Sequence, residues 1–368
     1  MSSSSTIPET MQAVIFKDTY KVAVEQVPTP TLQSDGDIIL KVHLAGLCGS
    51  DLHLYRGHED AGKGYIMGHE VVGTIVEKGQ SVKKFNVGDV VAVPFTVSCG
   101  SCWYCSSGHT ARCASSQLFG TPSLQGCQAE YVRIPLADGC VFHKPDNLPD
   151  ELMLLMADIL PTGYSAAANA RALLDGSASF SSEEEKDTSK KKRDGVCVVI
   201  GCGPVGLCAI SSAKTLFSQV FATDLALSRL ALAEKHGAIA LPSPELKKAV
   251  LDATDGRGAD AVLEVVGHEG ALLTALDLVR PYGAVSSVGV HSKEIRLNGG
   301  GLYDKNVKLQ FGRCSVRAFY ESALEVLVNN QEVFKSFIEN KVGFSQAEEY
   351  YDLFEKNKVA KTVFVPGQ

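Results

Sequence analysis

The sequence predicts an α/β protein in which a barrel-like, all-β domain precedes a doubly wound parallel sheet. Up to about residue 157, short strand-like runs are broken by Gly, Pro and Asp, a pattern typical of strands joined by turns. From about Gly195 onward, strand-like and helix-like segments alternate, which indicates βαβ units. The change of pattern predicts two domains, for which a length of 368 residues is sufficient.

Short runs bounded by turn residues predict the strands of the first part. They are Met11–Phe16, Asp37–Leu44, Val71–Glu77, Val90–Pro94 and Ala129–Ile134. In the second part, strands are predicted over Gly195–Ile200, Val220–Asp224, Ala259–Val266, Ala284–Val288 and Val307–Phe311. The helices predicted between them are Pro204–Phe217, Leu227–His236 and Ala271–Val279. The last predicted elements are a helix from about Val316 and a β-like run, Lys361–Val365.

The composition is that of an ordinary globular protein, with 45% hydrophobic and 21% charged residues. A net charge of -7 argues against general binding to nucleic acid or to anionic membranes. Met1–Thr6 lacks the plan of a signal peptide, and no apolar run reaches the ~18 residues that a membrane span needs. Eleven cysteines without a secretory signal fit a reducing compartment. We therefore expect a cytoplasmic protein with no membrane or nucleic-acid partner.

One stretch between the two parts departs from this composition. Asp175–Asp194 is highly polar and carries blocks of opposite charge, so it cannot bury itself in a core. We expect a mobile insertion loop at 175–194.

Four cysteines, Cys99, Cys102, Cys105 and Cys113, form a C-x2-C-x2-C-x7-C array in a stretch rich in Gly and Ser. Four thiolates at this spacing can converge tetrahedrally on one zinc ion. Two disulfides or four separate thiols are the alternatives, but disulfides fit poorly with a chain that shows no sign of secretion. The array therefore predicts a structural zinc site.

A glycine-rich motif, Gly201-Cys202-Gly203-Pro204-Val205-Gly206, follows an apolar strand and opens a helix. In this setting G-x-G-x-x-G is a strong signal for dinucleotide binding. Gly201 allows the tight turn, Gly203 lets a pyrophosphate approach the backbone, and Gly206 permits close packing of helix on strand. The phosphates would meet the positive end of the helix.

An acidic residue, Asp224, ends the second strand of the predicted parallel sheet, where it can accept hydrogen bonds from both ribose hydroxyls. A 2′-phosphate would meet its negative charge, so the sequence favours NAD over NADP. Arg229, five residues on, either lies against the adenine or is a solvated charge on a helix.

Two further candidate metal ligands lie among several glycines: Cys48 follows a predicted strand, and His69 comes just before the predicted strand Val71–Glu77. A thiolate and an imidazole suit zinc when a third ligand and an open position complete the shell. Several polar groups that need partners cluster within 22 residues here, which favours a functional site.

These motifs together resemble the zinc-dependent medium-chain alcohol dehydrogenases over nearly the whole chain. They are G-L-C-G-S-D-L-H at 46–53, G-H-E-V-V-G at 68–73, the four-cysteine array, D-I-L-P-T-G-Y at 158–164 and G-C-G-P-V-G at 201–206. The resemblance implies a GroES-like catalytic domain over 1–157 and 316–368. It also implies a Rossmann NAD-binding domain over 158–315.

By this resemblance, Cys48, His69 and Asp158 bind a catalytic zinc ion, Asp158 standing where many relatives have Cys. The run that begins at Asp158 is similar to that of formaldehyde dehydrogenases and some fungal and bacterial alcohol dehydrogenases. A carboxylate in place of a thiolate preserves the formal charge and supplies a harder oxygen donor. Glu70 is expected either to exchange with a ligand at the zinc ion or to contact the ligands from outside the coordination shell.

The resemblance also assigns roles in proton and hydride transfer. Asp51 is expected to accept the other ring N–H of His69 and so to fix its tautomer. Ser50 is expected to hydrogen-bond the substrate oxygen and to pass its proton, through the nicotinamide ribose, to His53. Thr162 is expected to help position the nicotinamide. The implied reaction moves hydride between a primary or secondary alcohol and NAD⁺, with two zinc ions per chain.

Other functions stay open on the sequence alone. The run beginning at Asp158 suggests a formaldehyde dehydrogenase or an aldehyde dismutase, and the set Cys48, His69 and Glu70 suggests a polyol dehydrogenase. A non-catalytic dinucleotide-binding protein is the alternative of another class. By analogy we expect a homo-oligomer, a dimer or tetramer, in which edge strands pair around Ala284–Val290.

Overall fold

The computed structural model describes residues 7–58, 62–176 and 194–368. Most of the predicted insertion loop at 175–194, and Met1–Thr6, lie outside the described residues.

The strands are β1 (Thr10–Asp18), β2 (Lys21–Pro28), β3 (Ile38–Leu47), β4 (Val71–Lys78), β5 (Val90–Val93), β6 (Tyr131–Ile134), β7 (Phe142–His143), β8 (Val196–Ile200), β9 (Gln219–Thr223), β10 (Ile239–Ala240), β11 (Ala259–Glu264), β12 (Val279–Ser287), β13 (Lys308–Phe311), β14 (Asn340–Val342) and β15 (Thr362–Phe364). The helices are α1 (Asp51–Tyr55), α2 (Trp103–Ser106), α3 (Ala137–Cys140), α4 (Asp150–Leu154), α5 (Ile159–Asp175), α6 (Pro204–Leu216), α7 (Leu227–Lys235), α8 (Ser243–Asp252), α9 (Glu269–Leu278), α10 (Gly299–Lys305), α11 (Val316–Asn329), α12 (Gln331–Phe334) and α13 (Ala347–Glu355). Short 3₁₀ turns occur at Thr110–Arg112, Leu155–Ala157 and Phe344–Gln346.

The described chain divides into two compact units. The first comprises Met1–Asp158, Ser315–Tyr320 and Asn330–Gln368, and the second comprises Ile159–Cys314 and Glu321–Asn329. The predicted boundary lay one residue earlier, and the prediction placed all of 316–368 in the first domain. The segment assigned differently, Glu321–Asn329, is the later part of helix α11, where no Gly or Pro marks a break in the sequence.

The first unit is built on a sheet in the order β14-β15-β3-β4-β5-β7, with β6 also paired to β3. Strands β1 and β2 form a separate antiparallel hairpin. Strand β3 is central, because its first half pairs with β6 and its last residues pair with β15. The C-terminal strand therefore lies antiparallel to Ala45–Leu47, directly before Cys48.

The second unit contains a six-stranded sheet in the order β10-β9-β8-β11-β12-β13, in which every pair is parallel. This order is that of a Rossmann fold, and the sense of winding reverses between β8 and β11. All five residues of β8 are buried, as a central parallel strand requires. The predicted fold class, a β-sheet domain joined to a doubly wound parallel sheet, is confirmed.

The prediction of an edge strand around Ala284–Val290 was wrong. Residues 284–287 belong to β12, which pairs with β11 on one side and with β13 on the other. Among the described strands, the edges of this sheet are β10 and β13. The error arose because a short apolar run does not show whether its strand is central or peripheral.

Candidate metal centres and dinucleotide site

Three candidate metal ligands, Cys48, His69 and Asp158, lie together in the first unit, and all three are buried. Cys48 follows the end of β3, His69 precedes β4, and Asp158 follows the 3₁₀ turn Leu155–Ala157. The Sγ atom of Cys48 lies 3.8 Å from Oδ2 of Asp158, and Nε2 of His69 lies 3.4 Å from the same oxygen. All three ligand atoms lie within 4.8 Å of one another.

These separations fit a zinc ion. Tetrahedral zinc binds its ligands at about 2.0 to 2.3 Å, which places neighbouring donor atoms roughly 3.2 to 3.8 Å apart. The sulfur, nitrogen and carboxylate donors found here are the types that zinc accepts. Three protein ligands leave a fourth position for another molecule, as in catalytic sites.

The ring of His69 is oriented from behind by Asp51. Oδ1 of Asp51 lies 2.9 Å from Nδ1 of His69, and Oδ2 accepts the backbone N–H of Cys48 at 2.9 Å. Burial opposes a charge on the ring, but the carboxylates of Asp51 and Asp158 raise the pKa of His69 well above its ordinary value. A metal ion bound at Nε2 would have to displace any proton held there, so protonation of His69 competes with metal binding.

Ser50 lies beside this cluster at the start of helix α1. Its Oγ is 3.3 Å from Sγ of Cys48 and 3.1 Å from Nε2 of His69. His53 follows one turn later and is half-buried, with its ring centroid 6.0 Å from that of the exposed His58. Ser50 is therefore close to two of the three candidate ligand atoms.

Glu70, named as a possible ligand, makes a different contact. It is fully buried, and its Oε2 forms an ion pair with Lys361, which is also buried. Oε1 has no hydrogen-bond partner among the described residues. Burial raises the pKa of Glu70, while the positive charge of Lys361 opposes the rise. Gly46 leaves room for this carboxylate, because a Cβ there would lie 1.9 Å from Oε2.

Lys361 was not among the residues predicted for this site. The residue precedes β15, and its Nζ also donates to the carbonyl of Leu47 at 3.3 Å. The available signal was a lysine at the start of an apolar, strand-like run, since a buried lysine needs an acidic partner.

The four-cysteine array forms a second candidate metal centre. The ligand atoms of Cys99, Cys102, Cys105 and Cys113 lie within 4.8 Å of one another. Two Sγ pairs stand 4.0 and 3.8 Å apart, and the described cysteines are all free thiols, so the alternative of two disulfides is not realised. Four sulfur donors at these separations fit a closed, structural zinc site.

Backbone N–H groups support the negative charge that these sulfurs carry when they bind a metal. Cys99 accepts from the N–H of Ser101 and of Cys102, and these contacts lower the pKa of Cys99 to about 6. Cys113 accepts from the N–H of Cys99 and of Ser115 at 3.2 and 3.3 Å. Burial raises the pKa of Cys105 to about 12, so a metal is needed to ionise all four thiols together.

The glycine-rich loop of the second unit joins β8 to α6. Gly201 has a φ of +100°, and a Cβ at Gly206 would lie 1.9 Å from the carbonyl oxygen of Gly201. A Cβ at Gly203 would meet nothing within 4 Å, so a ligand has space to approach the backbone there. This open cradle at the N-terminus of α6 fits a pyrophosphate.

Asp224 follows β9 beside this loop. Its Oδ2 accepts the N–H of Cys202, and its Oδ1 accepts the N–H of Ala226, both at 2.8 Å. Nη1 of Arg229 lies 3.6 Å from Oδ2. Thr162 is half-buried in helix α5. The structure thus joins Asp224 to the glycine-rich loop, while the roles of Arg229 and Thr162 stay predictions.

Comparison with known proteins identifies the family. Residues 34–146 match the alcohol dehydrogenase GroES-like domain, and residues 204–329 match the zinc-binding dehydrogenase domain. The chain is 47% identical to zinc-type alcohol dehydrogenase B of Aspergillus flavus over 97% of this chain and 82% of that protein. It is 30% identical to a sorbitol dehydrogenase of Bacillus subtilis over 99% of each chain.

Comparison with solved structures points to the same family. An alcohol dehydrogenase from Thermus sp. ATN1 superposes with a TM-score of 0.87 at 32% identity, covering 97% of this chain and 100% of the other. The chain belongs to the zinc-dependent medium-chain alcohol dehydrogenases, a family of oxidoreductases, as the motifs indicated. Within the described residues, no helix combines the length and apolar character that crossing a bilayer requires.

Replacing Asp158 tests the three-ligand cluster. We expect Asp158→Ala to reduce bound zinc from two ions per chain to one, because the four-cysteine centre does not depend on this carboxylate. Plasma emission spectroscopy of the purified protein measures the metal. The control is Asp146→Ala, which removes an exposed carboxylate and should leave two ions. Two ions bound to Asp158→Ala would show that the ligand set is wrong.

Replacing Lys361 tests the buried ion pair. Lys361→Met leaves the Glu70 carboxylate buried without its partner, so we expect a loss of about 3 to 5 kcal/mol in the free energy of unfolding. The double variant Glu70→Gln/Lys361→Met removes both charges and should recover most of that loss. Urea unfolding followed by circular dichroism measures both.

The exposed Lys341 provides the control, because Lys341→Met removes a surface ion pair and should cost about 1 kcal/mol or less. Equal losses in the single and double Lys361 variants would contradict a direct coupling between Glu70 and Lys361.

Proposed function

We propose that this protein is an NAD-dependent, zinc-containing alcohol dehydrogenase that interconverts an alcohol with its aldehyde or ketone. The observation that carries the proposal is the convergence of Cys48, His69 and Asp158, with the hydroxyl of Ser50 next to the ligand atoms of Cys48 and His69. Membership of the family supports the reaction class. The glycine-rich loop and Asp224 support the cofactor.

Cys48, His69 and Asp158 would hold the catalytic zinc, which when bound acts as a Lewis acid toward a substrate oxygen. Ser50 would donate a hydrogen bond to that oxygen or accept its proton, since its Oγ already lies within 3.3 Å of two ligand atoms. Asp51 keeps the ring of His69 turned toward the cluster. His53, on the same helix as Asp51, would carry the proton toward solvent.

The second unit would hold NAD, which accepts hydride from the alcohol carbon when bound. The N-terminus of α6 and the open space at Gly203 would receive the pyrophosphate. The carboxylate of Asp224 would accept from the adenosine ribose and would repel a 2′-phosphate. We therefore propose NAD rather than NADP.

The contacts of Glu70 and Asp158 help to choose among the alternative substrate classes. Lys361 holds Glu70 in an ion pair, and the three donors that converge are Cys48, His69 and Asp158. This arrangement favours an alcohol or formaldehyde dehydrogenase over a polyol dehydrogenase with a glutamate ligand. The ring of Phe95 lies edge-on to His69, with centroids 6.4 Å apart, so apolar surface adjoins the site. An aldehyde dismutase is the second candidate, because the run that begins at Asp158 suggests it.

Turnover measured by nicotinamide absorbance tests the proposal. Zinc-replete protein is given primary, secondary, aromatic and polyol alcohols with NAD⁺, and the matching aldehydes and ketones with NADH. We expect turnover that chelation of zinc abolishes. An aldehyde consumed without net change of NADH would instead identify a dismutase. If no compound in the panel is turned over, although both zinc ions are bound and NAD binding is intact, the non-catalytic alternative is favoured.

Replacing Ser50 tests its part in proton transfer. We expect Ser50→Ala to lower kcat by about 10²- to 10⁴-fold, the range typical of a lost acid–base group, with zinc content unchanged. Ser50→Thr keeps the hydroxyl and should retain most of the activity. Steady-state kinetics on the best alcohol of the panel measures both variants. Equal kcat values for Ser50→Ala and the wild type would exclude the role.

Replacing Asp224 tests the cofactor preference. Asp224→Ala removes the acceptor for the ribose hydroxyls and the charge that repels a 2′-phosphate. We therefore expect weaker binding of NAD and a smaller loss, or a gain, for NADP. Calorimetric titration with each cofactor measures the change. Equal losses for the two cofactors would contradict the specificity argument.

A further inference from the structure

A buried carboxylate lies at the carboxyl end of β11. Glu264 is the last residue of this strand and is fully buried. Its Oε1 accepts the backbone N–H groups of Val266 and Gly267, each at 2.8 Å. Its Oε2 accepts the hydroxyl of Ser287 at 2.6 Å and lies 3.1 Å from Nε2 of His291. The carboxylate thus fixes two loops and one imidazole ring.

The same contacts fix the tautomer of His291. The single hydroxyl hydrogen of Ser287 is used on Glu264, so its Oγ, 3.1 Å from Nε2 of His291, acts as an acceptor. Nε2 therefore faces two acceptors and must carry a hydrogen. In the neutral ring, Nδ1 then holds a lone pair and accepts. No hydrogen bond reaches Nδ1 from the described part of the chain.

The cluster also resembles a Ser–His–Glu set of a hydrolase, but its geometry excludes that role. The hydroxyl of Ser287 donates to Glu264 rather than to His291, and Ser287 is only 2% exposed. A nucleophilic serine needs an adjacent base for its proton and access to a substrate.

The position of the cluster in the sheet points to a cofactor role. In a Rossmann fold each half binds one mononucleotide, at the carboxyl ends of its strands. The glycine-rich loop and Asp224 belong to the β8–β10 half, which would take the adenosine end. Glu264 and Ser287 are the last residues of β11 and β12, in the half left for the nicotinamide end.

Two contacts place the segment after β11 against the glycine-rich loop. The N–H of Val265 donates to the carbonyl of Ile200, the last residue of β8, at 3.2 Å. A Cβ at Gly201 would lie 2.7 Å from Cγ2 of Val266. On the other side, the ring of Phe311 at the end of β13 lies edge-on to His291, with centroids 5.8 Å apart. His291 is thus held at the carboxyl edge of the nicotinamide half.

We propose that His291 binds the nicotinamide riboside part of the cofactor, with Nδ1 accepting a hydrogen bond from a ribose hydroxyl or from the carboxamide NH₂. Glu264 and Ser287 are positioning residues that fix the ring and its tautomer. This inference rests on the dinucleotide function proposed above.

Two amide variants separate this role from a merely structural one. In His291→Gln the amide nitrogen can take the place of Nε2 and keep the contact with Glu264, but nothing replaces Nδ1. In His291→Asn the amide takes the place of Nδ1, and the contact with Glu264 is lost. Calorimetric titration of zinc-replete protein with NADH, ADP-ribose and ADP measures the consequences, since ADP lacks both the nicotinamide and its ribose.

We expect His291→Gln to weaken NADH binding about 3- to 10-fold, the effect of one lost hydrogen bond, while ADP binds as to the wild type. His291→Asn should lose less. An equal loss of affinity for ADP-ribose would locate the contact at the ribose. Unchanged affinity for ADP-ribose would locate it at the carboxamide. Unchanged NADH binding by His291→Gln, or equal losses for NADH and ADP, would overturn the proposal.

Two controls keep the result interpretable. Asp224→Ala should weaken NADH and ADP alike, because it acts on the adenosine end. If the wild type binds none of the three ligands, the dinucleotide function itself is wrong, and this inference falls with it. Should His291→Gln fail to fold, a crystal structure of the wild type with NADH decides: Nδ1 within about 3.2 Å of the nicotinamide riboside supports the contact, and a larger separation refutes it.

Discussion

The balance of charge around Cys48, His69 and Asp158 is the constraint on which the first unit depends. A thiol and the carboxyl groups of Asp51, Asp158 and Glu70 are buried in one small region, and taking such charges out of water is expensive unless they are paired. His69 lies against the carboxylates of Asp51 and Asp158, and Lys361 pairs with Glu70. A zinc ion bound by Cys48, His69 and Asp158 would supply further positive charge, so the burial of these acids favours metal binding.

The fold meets this constraint by bringing distant segments to the end of one strand. Strand β3 delivers Cys48, and β15 pairs beside it and places Lys361 against Glu70. The absence of a side chain at Gly46 leaves space for that carboxylate. In the second unit, the buried charge of Glu264 is satisfied differently, by two backbone N–H groups and two side chains. Among the described residues, each unit thus has one buried glutamate, and each of these glutamates joins separate segments of the chain.

Local patterns predicted the parts of the structure that depend on local spacing. The four-cysteine array lies within 15 residues and the glycine-rich motif within six, so the chain itself brings their groups together. Asp158 is different: it lies 110 residues from Cys48, and only the family resemblance singled it out. The pairing of Glu70 with Lys361 spans 291 residues and was not predicted, because nothing in the sequence shows which strand lies beside β3. The edge strand was misassigned for the same reason.

The most direct test of the account is anomalous diffraction at the zinc absorption edge from crystals of the purified protein. We predict two peaks per chain, one among the four cysteines and one within about 2.0 to 2.3 Å of Cys48, His69 and Asp158, with Glu70 still paired to Lys361. A second peak bound by Glu70 in place of Asp158 would contradict the ligand set. A single peak at the four cysteines, from crystals grown with excess zinc, would contradict the catalytic metal site itself.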